Sequence, residues 1–281
     1  MGFNPAGEGN PSEGEYRIAE TSAGARDLLH SRRHPDRPPH RCTLKKSMDS
    51  SLLFVSAGSY LHAEWRGSQA PWNNKPSGPF ITISREAGSG GSSLARLLVR
   101  KLNSEAPADV VWQVFEDNLT PAMLKAHHLP THLARFLPED RVPGVQASAG
   151  EFMGLHPNIS DLVAKTNATM RRLAQRGHVI LVGRGANFAT ADIPHGVHVR
   201  LTAPKEHRAK YLTQRYGVSY AEAVVCNARC DIARHRYVKT HLGADDRNLS
   251  AYDLVINTAR VPLPEAADMI ATHARNRAPA G

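Results

Sequence analysis

The stretch Pro79-Phe-Ile-Thr-Ile-Ser84 runs through Arg-Glu-Ala-Gly-Ser-Gly-Gly (85–91) into Ser-Ser-Leu-Ala-Arg-Leu-Leu-Val-Arg-Lys-Leu-Asn (92–103), and no other segment restricts the fold as strongly. Its opening is a β-branched and aromatic run, and Leu94, Leu97, Leu98 and Leu102 then recur at helical spacing. A strand, a glycine turn and a helix in immediate succession leave the glycine peptides at a helix N-terminus. There their N–H groups turn inward and the helix dipole favours negative charge, an arrangement that suits phosphate.

Against the phosphate-loop pattern G-x-x-x-x-G-K-[ST], Gly90 takes the second glycine and Ser92 the hydroxyl that binds Mg²⁺. Two positions depart from it. Arg85 stands for the first glycine and Gly91 for the lysine, so a generic glycine-rich turn stays open as the alternative. A cation for the terminal phosphates has to come from elsewhere, and Arg85 is the nearest candidate within the loop.

The rest of the chain repeats the alternation. Val110–Phe115 reads as a second strand, followed by the polar turn Glu116-Asp117-Asn118 and a helical stretch ending near the Pro-rich LPEDRVPG. Residues 158–176 predict a long helix. Val179–Val182 is a continuous apolar run of the kind a fully buried parallel strand shows, closed by Gly183-Arg184-Gly185. Val197–Leu201 is a fourth strand, Pro204–Tyr216 a basic helix, and a further helix starts at Ser219 with Glu222 as its capping-box partner. Leu254–Asn257 and Pro264–Arg275 predict a last strand and helix. The expectation is an α/β three-layer sandwich with a central parallel sheet and ligands at the carboxyl ends of its strands.

Residues 1–47, rich in Gly, Pro, Ser, Arg and His, show no periodicity and read as a disordered tail. Residues 48–78 read as a short amphipathic helix (48–62) and a linker, and Met48 is a candidate start. With 41% hydrophobic residues in 281, the chain has ample material for a core. Its longest apolar stretch, from Leu52, is broken well short of the ~20 residues a membrane span needs. Glu8, Glu13, Glu15 and Glu20 stand where a secretory leader would be apolar, and three cysteines form no disulfide framework. The expected location is the cytoplasm. The net charge of +9 is concentrated between Arg200 and Thr240, where nine Lys or Arg face three acidic residues. Such a surface fits a polyanionic partner or a merely solvated helix.

ITISREAGSGG, the strand VILVGRGA, VHVRLTAPKEHRAKYL, CDIARHRYVKTHLG and YDLVINTARVPLPEAADMI, in this order over about residues 79–275, resemble the cytidylate kinase-like family of phosphate-loop proteins. That family has Ser-Arg-Glu at the start of the loop and lacks the loop lysine. Asp231, Arg234, Tyr237 and Lys239 are similar to its lid pattern. The resemblance implies a P-loop NTPase fold of the nucleoside monophosphate kinase type with a helical lid at about 217–245. It implies ATP and Mg²⁺ as cofactors and phosphoryl transfer to a nucleoside monophosphate, CMP or dCMP. A nucleotide-binding module without turnover, or another small phosphate acceptor, remains the alternative.

Such a transfer needs alignment and charge neutralisation more than a base. The implied catalytic residues are Arg85, Arg184, Arg234 and Arg236. Gly88, Ser89, Gly90, Gly91, Ser92, Ser93 and Arg229 would bind ATP, with Ser92 on its Mg²⁺. Arg184, after an apolar strand, would hold the acceptor phosphate, or else pair with a carboxylate such as Asp192. Asp117 would contact the acceptor nucleoside or a metal-bound water, with Glu116 as competitor and a helix-capping role equally open.

His127, His128 and His132 do not make a metal site, since no cysteine or carboxylate completes a set and Pro130 interrupts their helix. Cys226 and Cys230 read as small buried hydrophobes. The basic arm Arg32–Lys46 lacks interleaved aromatics and reads as a solvated tail. The expected partners are nucleotide substrates, with no membrane and no specific nucleic acid.

Overall fold

The computed structural model describes residues 78–116, 119–130, 133–134 and 158–278. The expectations for the tail 1–47, the helix at 48–62, the linker up to residue 77, Asp117 and His132 lie outside the described residues.

Five parallel strands form one sheet in the order β2-β3-β1-β4-β5. They are β1 (Phe80–Arg85), β2 (Gln113–Phe115), β3 (Val179–Val182), β4 (Gly196–Thr202) and β5 (Leu254–Asn257). The helices are α1 (Gly91–Glu105), α2 (Leu119–Ala126), α3 (Ile159–Arg176), α4 (Ala186–Ala189), α5 (Lys205–Tyr216), α6 (Tyr220–Leu242) and α7 (Leu263–Asn276). β1 lies at the centre, with Ile81 opposite Ile180 on one side and Val197 on the other.

Strand side chains alternate between faces, so the two faces build two cores. Ile81, Ile83, Ile180, Val182, Val197, Val199 and Leu201 pack with α1 and α7, where α7 offers Ala266, Ala267, Ala271 and Ala274. Phe80, Phe115, Val179 and Leu181 pack with Met170, Leu173 and Ala174 of α3. Burial on both faces is why β3 reads as an unbroken apolar run. Truncating Leu98, fully buried between α1 and the sheet, to alanine costs about 2–5 kcal/mol.

The second strand is shorter than Val110–Phe115. Asn103 of α1 accepts a hydrogen bond from Trp112 N at 2.7 Å and donates to Trp112 O at 3.1 Å, so a side chain takes the backbone groups that a strand partner would use. Pairing with β3 starts at Gln113. The capping box at Ser219 and Glu222 is present as expected and starts α6, which runs unbroken through most of the segment expected to form the lid. Among the described residues no helix is long and apolar enough to cross a membrane.

Candidate phosphate-transfer site

Residues 86–90 join β1 to α1 at the carboxyl edge of the sheet. Gly88 (φ 79°) and Gly90 (φ 87°) both adopt the left-handed conformation. A Cβ on Gly88 would stand 2.6 Å from the Arg208 carbonyl oxygen, so glycine is required there by space as well as by backbone angle. The first-turn N–H groups of α1 have no partner within the helix and face the loop. This is a cradle for an anion.

The front of the loop is held from outside. Glu86 N donates to Leu201 O, while Glu86 Oε2 accepts from Thr202 Oγ1 (2.8 Å) and Ala203 N (3.0 Å). Ala87 N donates to Asp231 Oδ1 at 2.7 Å, and Ala87 O accepts from Arg208 Nη1 at 2.9 Å. Arg208, 5% exposed, also pairs with Asp231 Oδ2 at 2.7 Å and lies 3.6 Å from Glu86 Oε2, so one guanidinium neutralises two carboxylates behind the loop. Ser89 Oγ is turned back onto Glu86 O. Ser93 Oγ meets the Tyr211 hydroxyl of α5 at 2.7 Å.

The position of the missing lysine is flanked by Arg85. A Cβ at position 91 would stand 3.0 Å from Arg85 Cγ and 3.2 Å from Arg85 Cδ. The stem of Arg85, leaving the end of β1, thus fills the space in which a side chain at residue 91 would begin. Ser92 donates its hydroxyl to Glu116 Oε1 at the end of β2. Glu116, weighed only as a competitor of Asp117, is the carboxylate of that turn that the described residues bring to the loop.

Arg184 follows β3 in a left-handed turn (φ 54°) between two left-handed glycines, Gly183 and Gly185, and is 8% exposed. A non-glycine residue held there carries strain, a feature concentrated at functional sites. Asp192, the carboxylate considered as its partner, is engaged bidentately by Arg171 at 2.5 and 2.7 Å, which holds the Asp192 carboxyl down at about 2.

α6 spans the site. Asn227 packs on Gly88 and Asp231 on Ala87, Arg234 Nη1 reaches Arg85 O at 3.4 Å, and Leu242 meets Gly185. Asn227, Asp231 and Arg234, at i, i+4 and i+7, therefore share the loop-facing side. Arg229 and Arg236 do not: Arg236 is two and a half turns beyond Asn227 at 3.6 residues per turn, on the opposite side, and both are exposed. Of the residues singled out in the sequence, the structure brings together Arg85, Gly88–Ser93 and Arg234, with Arg184 on the neighbouring strand end. Glu86, Arg208 and Asp231 went unassigned in the sequence. The signals for them were Glu86 in the Ser-Arg-Glu start of the loop, Asp231 in the lid pattern ahead of Arg234 and, for Arg208, the Glu206-His-Arg208 start of a helix after a small-residue turn.

His127 and His128 lie in the turn that follows α2. Among the described residues, His235, Asp245 and Asp246 bring their ligand atoms within 4.8 Å of one another, but Asp246 already accepts from His235 Nδ1 (2.7 Å) and Arg200 (3.2 Å).

A five-stranded parallel sheet in this order, with a glycine loop between its central strand and α1, is a phosphate-loop α/β fold. The sequence model of the cytidylate kinase-like family matches residues 80–260, more than half of the chain, and the chain belongs to that family. It is 38% identical over 94 residues to a cytidylate kinase of Ignicoccus hospitalis, covering 33% of this chain and 53% of that one. It is 32% identical over 111 residues to a cytidylate kinase of Pyrococcus horikoshii, covering 39% and 55%. The chain thus spans about half the length of the curated relatives it matches. The crystal structure of an uncharacterised protein from Eubacterium ventriosum is similar in fold, with a TM-score of 0.52 and 19% identity over 71% of this chain and 99% of that one.

Proposed function

We propose that the chain transfers the γ-phosphoryl group of ATP to a nucleoside monophosphate, with CMP or dCMP as the acceptor. The observation that carries this reading is the Arg85 stem lying over Gly91, beside the position where the loop lysine is missing, which supports Arg85 as the substitute cation. Family membership and the cytidylate kinases among its relatives support the acceptor class.

In this reading the N–H groups around Gly90–Ser93 hold the donor phosphates at the α1 N-terminus. Arg85 neutralises their terminal charge. Arg234, from the loop-facing side of α6, neutralises charge that builds up between donor and acceptor, and Arg184 holds the acceptor phosphate. Arg229 and Arg236 are left out of the site because they face the other way. Ser92 and Glu116 offer a hydroxyl and a carboxylate, hard oxygen ligands that fit Mg²⁺. Ser92 and Glu116 would hold such an ion, which would supply screening of the donor phosphate charge. No general base is required, because the attacking oxygen already belongs to a phosphate; alignment and charge neutralisation suffice.

The test is incubation with ATP, Mg²⁺ and a panel of nucleoside monophosphates, reading diphosphate formation. The expected result is turnover of CMP or dCMP above the purine monophosphates. Binding of ATP with no monophosphate converted would overturn the reading and leave a nucleotide-binding module.

A further inference from the structure

We infer that Asp231 is a positioning residue for phosphate binding, one that makes α6 and the loop a single unit by holding Ala87 on the loop's outer side. The inference rests on the reading of the loop as the ATP phosphate site.

Both backbone groups of Ala87 are taken by side chains from distant helices, its N–H by Asp231 of α6 and its C=O by Arg208 of α5. Those two side chains bond each other at 2.7 Å. With the peptide units on both sides of Ala87 gripped in this way, the Ala87 N–H is held away from the cradle, and the anion is left to the N–H groups further along the loop and at the α1 N-terminus. The choice is fixed by a residue 144 positions away in sequence.

A carboxylate behind a phosphate site would repel the ligand by itself. Arg208 removes that penalty for Asp231 and for Glu86 together. Asn227, one turn before Asp231, is 5% exposed, and its amide atoms, neither with a hydrogen-bond partner among the described residues, lie against Gly88. The loop-facing side of α6 is thus a backing wall for the loop. Changes of loop shape on nucleotide binding are then passed directly to α6 and to Arg234 on the same side.

The test uses the full chain, its Asp231→Ala variant and its Asp231→Asn variant, whose amide oxygen still accepts from Ala87. Amide exchange is followed in the protein without ligand, and ATP and acceptor kinetics are measured separately. In Asp231→Ala the exchange of residues 84–93 should rise about tenfold while β4 and α7 keep their protection, and the KM for ATP should rise about tenfold with the acceptor KM unchanged. Asp231→Asn keeps the acceptor for Ala87 but turns its amide NH2 onto Arg208, so it should fall between the parent and Asp231→Ala in both readouts. Unchanged loop exchange in Asp231→Ala, or a rise shared by β4 and α7, would overturn the inference. If the parent chain converts no ATP while loop exchange responds as stated, the anchoring role stands and the kinase reading falls.

Discussion

The Ser92 hydroxyl donates to Glu116 Oε1, tying the first turn of α1 to the end of β2. In the proposed reading these are the two oxygen groups that would hold a divalent ion at the donor phosphates. Glu116→Gln keeps an acceptor for Ser92 but removes the charge. The Mg²⁺ concentration for half-maximal activity should rise at least about tenfold, with thermal stability little changed. A Mg²⁺ titration at fixed ATP checks it; an unchanged midpoint would take Glu116 out of the ion site.

The family resemblance groups Arg234 with Arg236, and α6 separates them by facing them in opposite directions. Arg234→Ala should lower kcat by about 10³, the scale of a lost transition-state arginine. Arg236→Ala should lower it by no more than about threefold. Steady-state kinetics of the two variants side by side decide the matter, and a large loss in Arg236→Ala would mean that α6 turns about its axis during the reaction.

How much of this was legible in the sequence depended on the range of the interaction. No local pattern marks the short α4 after β3, but β1, β3, β4 and β5 and the helices α1, α3, α5, α6 and α7 follow from local patterns. The start of β2 did not, because Asn103 captures the Trp112 backbone across a turn. The facing of α6 was hidden for a different reason: Val225 (49% exposed) and Ile232 (54%) lie on its outer side, while Asn227 is buried, so hydrophobicity does not mark the inner face. Glu116 stands beside Asp117 in a polar stretch of the sequence, and only the packing of β2 beside α1 brings Glu116 to Ser92. Asp231 and Arg208 act on Ala87 over long sequence separations that no local pattern reports.

Four histidines carry a pH dependence. Burial pushes His127, His178, His198 and His241 below the usual 6.5, with His198 bonded to Thr82 Oγ1 at 2.9 Å. Below pH 6.5 the unfolded chain takes up protons that these buried rings refuse, so their contribution is complete above that value and is lost as pH falls. The melting temperature should hold from about pH 8 to 7 and drop by a few degrees for each ~1 kcal/mol lost toward pH 5. Replacing His198 with glutamine, which keeps a partner for Thr82, should flatten that decline. A melting temperature that rises on acidification would contradict this account.

The central claim is that Arg85 does the work of the absent loop lysine, and exchanging the two positions tests it most directly. kcat/KM for ATP is measured in Arg85→Ala and in the double variant Arg85→Gly with Gly91→Lys, which moves the cation to the other side of the same space. The account predicts a loss of about 10³ in Arg85→Ala and recovery of at least about tenfold of it in the double variant. Arg85→Ala retaining activity within about threefold, or a double variant no better than Arg85→Ala, would contradict it.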